Sequence, residues 1–163
     1  MKIKEFLFTA FYAGYSPVAP GTAGTFVAMA LYIVENYLLG DVFYNSLNYI
    51  NFAALLLLVY PAIRLCDEAE TFYKTKDPQR VVIDEVMGYW TGLLFLPFSI
   101  TYAVLAFVIF RLFDIIKPFP AKRLQDLHGG LGIMIDDYVA GLYTLVVMHL
   151  IAYILEIKGI ILF

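Results

Sequence analysis

The chain has one cysteine, Cys66, in 163 residues. That excludes an internal disulfide and any CxxC metal site, and it fits a reducing compartment. Charge is scarce too: 15% of residues are Asp, Glu, Lys or Arg, against about 25% in soluble domains. The net charge of −3 argues against nucleic acid as a partner, because a phosphate backbone calls for a basic face. There is no Gly-Lys-[Ser/Thr] phosphate loop, no CxxxxxR loop and no nucleophile-elbow pattern around any serine. Cys66 is followed by Asp67, Glu68 and Glu70. Acids raise a thiol's pKa, so Cys66 is not expected to be a nucleophile. Lys2 and Lys4 precede no small-residue cleavage site, so no removable signal peptide is expected.

What the chain has in excess is apolar surface, with 62% of residues hydrophobic. A chain this short cannot hide that much inside itself, so the surplus must face lipid. The length suits one domain over residues 1–163. Four apolar stretches are candidates for membrane segments: about Thr25 to Leu39, Ile50 to Leu65, Val86 to Phe110, and Tyr138 to about Ile157. Lys and Arg number two in residues 1–24, none in 40–49, four in 64–85 and four in 111–137. The positive-inside rule then puts 40–49 outside and both basic loops inside. Only the third stretch separates those two loops. As one helix it would rise about 37 Å and cross fully. A break at Pro97 ("LPFS") resolves the conflict, giving a re-entrant hairpin with arms of about 12 residues. The expected fold is an all-α integral membrane helical bundle of about four to five segments, with that hairpin near Pro97.

Two short segments resemble one another. "VIDEVMG" places Asp84 and Glu85 after an isoleucine, and "IMIDDYVAG" does the same with Asp136 and Asp137. Each doublet opens an apolar stretch, and small residues follow four positions on: Gly88, Ala140 and Gly141. On a helix that spacing puts acid and small residue on one face, where close helix contact is possible. A lone doublet could be a simple helix start, since the macrodipole favours acids in the first turn. Two on one side of the membrane would repel unless a cation lay between them. Oxygen-only ligands suit Mg²⁺ or Mn²⁺ over zinc.

Between the doublets lies "FRLFDIIKPFPAKRLQDLHGGLG", in which Arg111, Asp114 and Lys117 recur at a spacing that gathers them at a helix end. They read as an interfacial ion pair with an anchoring lysine, or, beside four carboxylates, as holders of a phosphate. Lys122 and Arg123 suit an anionic lipid surface. His128, before Gly129-Gly130, could pass a proton or merely cap a turn. His149 reads as a helix-packing residue, and Glu35 must face something polar. In "GYSPVAPGTAGT" a loop leads into a helix, and Thr22 with its neighbouring glycines offers either an anion site or a plain turn.

"YSPVAPGTAGT", "VIDEVMGYW", "FRLFDIIKPFP" and "HGGLGIMIDDYVAG", in that order over about residues 14–141, together resemble the phosphatidylglycerophosphatase A family. The resemblance implies a Mg²⁺-dependent phosphatase of the bacterial inner membrane that acts from the cytoplasmic side. Its substrate would be the phospholipid phosphatidylglycerophosphate, converted to phosphatidylglycerol. The implied metal ligands are Asp84, Glu85, Asp136 and Asp137. Arg111, Lys117 and Thr22 would hold the phosphate, and Asp114, His128, Asp136 and Asp137 would carry the chemistry. Water attack and an aspartyl-phosphate intermediate both remain open, as does the oligomeric state. Another phospholipid phosphate is the alternative substrate. A small carrier with an acidic ion site is less favoured, because the doublets lie at segment ends. A CDP-alcohol phosphotransferase would need a DG…AR…G…D…D pattern that is absent.

Overall fold

A computed structural model describes residues 2–43 and 46–160. Residues 44–45 of the 40–49 loop and residues 161–163 lie outside the described residues. Among the described residues seven α-helices follow in order: α1 Lys2–Phe8, α2 Pro20–Leu39, α3 Leu47–Tyr73, α4 Ile83–Gly92, α5 Ile100–Ile116, α6 Ala121–Leu124 and α7 Gly130–Ile157. A 3₁₀ turn, Ala13–Tyr15, leads from α1 toward α2. Among the described residues there is no strand.

Three helices, α2, α3 and α7, are long and apolar enough to cross a membrane. Their outer faces leave Leu57, Tyr37 and Val146 mostly exposed, as lipid-facing side chains should be. The helices begin earlier or end later than the apolar runs, because polar residues at the ends continue the same hydrogen-bond ladder. Thus α2 starts at Pro20, with proline at its first position, where no backbone N–H is needed.

The third apolar stretch is broken, as the charge pattern requires. Its arms are unequal: α4 has 10 residues, about 15 Å, and α5 has 17, about 26 Å. Backbone opened at such a break needs partners in an apolar setting. Asn48 of α3 supplies them, accepting from the Phe95 N–H at 3.1 Å and donating to the Leu96 carbonyl at 3.3 Å. Deeper in the bundle the Tyr89 hydroxyl donates to the Ala103 carbonyl, tying α4 to α5. Glu35 also finds its polar neighbour, accepting from Asn51 at 3.1 Å.

At the centre α4 crosses α7. The Cβ that an alanine would add at Gly141 would lie 2.3 Å from the Gly88 carbonyl oxygen, so only glycine permits this approach. One apolar cluster, including Tyr32, Tyr89, Phe110 and Met148, packs on one side of the crossing. A second, including Phe8, Leu55, Met87 and Met134, packs on the other and encloses Cys66. With α4 folded back along α5, the start of α4, the end of α5 and the first half of α7 share one end of the bundle.

Candidate active site

The acidic doublets meet at that end by different local routes. Asp84 and Glu85 occupy the first turn of α4, where the macrodipole supports them. Asp136 and Asp137 do not occupy a first turn. They are the seventh and eighth residues of α7, beyond the reach of its N-terminal dipole, which corrects the expectation that both doublets open helices. The N-terminus of α7 has no side-chain cap of its own. Asp67 of α3 reaches across instead, accepting from the Gly130 N–H at 2.6 Å. That bond fixes α7 two turns upstream of the doublet. A glycine-started helix lacking Ser, Thr or Asp at its cap was the sequence signal for such a partner.

Asp84, Glu85 and Asp137 each present a carboxylate oxygen within 4.8 Å of the others. Asp84 and Asp137 are only 7% and 3% exposed. At that spacing each pair of charges repels by about 3–4 kcal/mol at an effective dielectric of 20, so three bare negative charges cannot coexist there. Proton uptake is the response without a counter-ion. Burial, then Glu85, holds the Asp84 carboxyl well above the usual carboxylate range. Burial, then Asp137, pushes Glu85 up to about 8. Oδ1 of Asp84, Oε2 of Glu85 and Oδ1 of Asp136 are buried without a hydrogen-bond partner. Buried orphan carboxylate oxygens on Asp84 and Glu85, in a cluster closed by Asp137, fit a hard divalent cation.

Asp136 turns to a different partner, and its Oδ2 is ion-paired with Lys117 Nζ. Burial alone would lower the Lys117 pKa, but Asp136 and the acids around it outweigh that and raise it. Arg111 lies between Asp114, its close ion-pair partner one turn along, and Glu85 at 3.8 Å. Its Nε is buried and unpartnered. Arg111 Nη1 approaches the hydroxyl of Thr25, at 3.5 Å, rather than Thr22.

These groups line a cavity of about 560 Å³. Its wall brings together Asp84, Glu85, Arg111, Asp114, Lys117, Asp136 and Asp137. It adds Asp77, which the sequence reading passed over, although its Asp-Pro turn lies shortly before the first doublet. Thr22 is not on the wall, whereas its neighbour Gly21 is. His128 is exposed and also off the wall. His149 is exposed rather than packed between helices, its Nδ1 2.9 Å from the Leu145 carbonyl of its own helix. Cys66 is wholly buried in the apolar cluster, in keeping with its exclusion as a nucleophile. Six carboxylates thus face two cations, an arrangement that admits an anion only after a further positive charge arrives.

The profile of one family, described as phosphatidylglycerophosphatase A, matches residues 6–152. A Bacteroides thetaiotaomicron protein, named provisionally as a phosphatidylinositol-3-phosphatase, is 36% identical, covering 86% of this chain and 87% of its own. Phosphatidylglycerophosphatase A of Escherichia coli is 33% identical, over 88% of this chain and 80% of its own. Its Haemophilus influenzae counterpart is 34% identical, over 88% and 85%. No solved structure matches.

Proposed function

The chain belongs to the phosphatidylglycerophosphatase A family, and on that premise we propose that it removes the terminal phosphate of phosphatidylglycerophosphate, giving phosphatidylglycerol and inorganic phosphate. It is a phosphatase by that membership. The reaction is assigned to the cavity at the α4–α7 crossing. The observation that carries the assignment is the juxtaposition there of a cation-sized acidic cluster with Arg111 and Lys117.

Asp84, Glu85 and Asp137 would hold Mg²⁺. When bound, the ion supplies the positive charge that a phosphate dianion needs at such an acidic wall. Arg111, clamped by Asp114 and Glu85, turns its free Nε to a phosphoryl oxygen. Lys117, steadied by Asp136, meets another oxygen on which charge develops. The unpartnered Oδ1 of Asp136 accepts a proton from the water that attacks phosphorus in line. As the bond between phosphorus and the glycerol oxygen breaks, Asp136 returns that proton to the leaving oxygen, so one water is consumed and the carboxylate is regenerated. Asp114 acts through Arg111, and His128 and Thr22 stand outside the reacting groups.

The setting agrees with a lipid substrate, because exposed Ile115 lies on the cavity wall and exposed Ile116 and Phe119 follow it in the chain. Lys4, Arg64, Lys74, Lys76, Arg80, Lys122 and Arg123 lie in the N-terminal segment and the two basic loops, and by the positive-inside rule we assign this end to the cytoplasmic face of the bacterial inner membrane. A second substrate, another phospholipid phosphomonoester, is favoured by the name of the Bacteroides thetaiotaomicron relative.

The test is phosphate release from phosphatidylglycerophosphate by the purified chain, with Mg²⁺ and with EDTA, beside Asp84→Asn, Asp137→Asn and Asp136→Asn. Release should require the cation and fall at least 100-fold in each variant. Full activity in EDTA, or in the Asp84 and Asp137 variants, would overturn the assignment of metal ligands. Release from a phosphatidylinositol phosphate alone would replace the substrate.

A further inference from the structure

A second cavity, of about 500 Å³, adjoins the first. Pro17, Pro20 and Gln79 belong to both walls, so the two spaces are neighbours. Their charges are opposite in kind. Among the described residues the second wall carries no acidic side chain and Arg80 is its one cation, and the Glu5 carboxylate accepts from the hydroxyl of Tyr15 on that wall. The Arg80 guanidinium lies over the Tyr15 ring at 4.7 Å and near the Tyr73 ring at 5.6 Å. The two phenol oxygens are 3.1 Å apart, which fixes the rings as a pair. Among the described residues no carboxylate lies within 4 Å of Arg80. The backbone beside it is pinned, with the Val81 N–H bonded to the Pro78 carbonyl and the Val82 N–H to the Phe8 carbonyl. Arg80 is therefore held by its stem and rings with its donors free, as an anion subsite needs.

The surroundings say what kind of anion. Phe11, Tyr12, Tyr15 and Val18 form an exposed apolar and aromatic edge beside this cavity, of the sort that sits at headgroup level. A phosphatidylglycerophosphate molecule carries a second phosphate, the diester that joins glycerol to its acyl chains. The six carboxylates of the first cavity repel that diester. Arg80 is the cation that the adjoining wall supplies outside them.

We propose that Arg80, on its Tyr15–Tyr73 platform, binds the phosphodiester of the lipid substrate while the terminal phosphate occupies the acidic cavity. This rests on the lipid phosphatase assignment above. It makes Arg80 a specificity residue, one that favours lipids with a diester and a monoester separated by a short polyol. The same chemistry could bind a neighbouring anionic lipid, so the experiment separates the two sources.

Dihexanoyl-phosphatidylglycerol, which keeps the diester and lacks the monoester, would be titrated calorimetrically into the full chain in neutral detergent with Mg²⁺. Inorganic phosphate, which is monoester-like only, is the companion ligand. Arg80→Gln should weaken the diester lipid about tenfold and leave inorganic phosphate unchanged. Arg80→Lys, which keeps the charge without the fork, should fall between. The KM for phosphatidylglycerophosphate should rise about tenfold in Arg80→Gln, carrying most of the change in kcat/KM. Equal weakening of both ligands, or of neither, overturns the subsite. An Arg80 effect seen only in vesicles containing anionic lipid assigns the site to neighbouring lipid and likewise overturns it. Diester binding through Arg80 in a protein that releases no phosphate from phosphatidylglycerophosphate would sink the proposed reaction and leave the subsite standing.

Discussion

Gly141→Ala tests the link between helix packing and chemistry most directly. The new Cβ would stand 2.3 Å from the Gly88 carbonyl oxygen, where ordinary contact begins at 3.4 Å. The obstacle is the helix backbone of Gly88, so α4 and α7 must separate by about 1.1 Å. Asp137 lies one turn before Gly141, and Asp84 one turn before Gly88. The separation therefore carries Asp137 away from Asp84 and Glu85, which now lie within 4.8 Å of it. Two oxygens bonded to one Mg²⁺ lie at most about 4.2 Å apart, since each bond is about 2.1 Å. From a spacing of up to 4.8 Å the acids must already close slightly on the ion, and a gap widened by about 1.1 Å works against that closure. Metal affinity should fall at least tenfold and kcat about 100-fold. Stability should change little, because overpacking costs about 1–3 kcal/mol and replacing a helical glycine by alanine returns about 1. Kinetics across a Mg²⁺ titration, with thermal unfolding of the same preparation and Val146→Ala as an outward-facing control, would measure all three. Gly141→Ala with unchanged metal dependence and kcat would refute the claim that this crossing sets the spacing of the carboxylates.

Cation affinity should rise with pH through about 8, because Glu85, and Asp84 held high beside it, must lose their protons to act as ligands. By the same linkage the metal-free fold binds more protons than the unfolded chain between pH 4.5 and about 8, so its stability should fall as pH rises through that window and Mg²⁺ should restore it; a flat Mn²⁺ affinity from pH 6 to 8 would contradict this. Asp67→Ala should cost about 1 kcal/mol by uncapping α7, read as a lower melting temperature, together with a reduced kcat and intact substrate KM. Unchanged melting would show the cap to be idle. The only native cysteine is wholly buried, so a cysteine placed at exposed Lys76 should react with an impermeant maleimide in inverted vesicles and not in intact cells. Labelling in intact cells would reverse the assigned sidedness.

The hairpin was legible because two independent sequence signals agreed: a proline inside an apolar run, and basic loops on both sides of it. What closes the break was not legible, because Asn48 is 47 positions from Phe95 and reads as an ordinary loop polar residue. The partition of the acidic doublets was also hidden. Adjacent aspartates on a helix point about 100° apart, so Asp137 joins Asp84 and Glu85 while Asp136 turns to Lys117. Two identical letters therefore occupy different electrostatic environments.

The sequence alone determined that this chain is helical, lipid-embedded and acidic at one end, because composition and period are local properties that each segment carries with it. It also determined that small residues follow the acids by one helical turn. Only the tertiary structure decided which acids converge, which one pairs with a lysine, that Asp67 caps α7, that Asp77 joins the cavity wall while His128 does not, and that Arg80 lines the neighbouring cavity. Those outcomes depend on where helices cross and how each is rotated about its axis, and a rotation set by the Gly88–Gly141 contact is a property of the pair that neither segment encodes by itself.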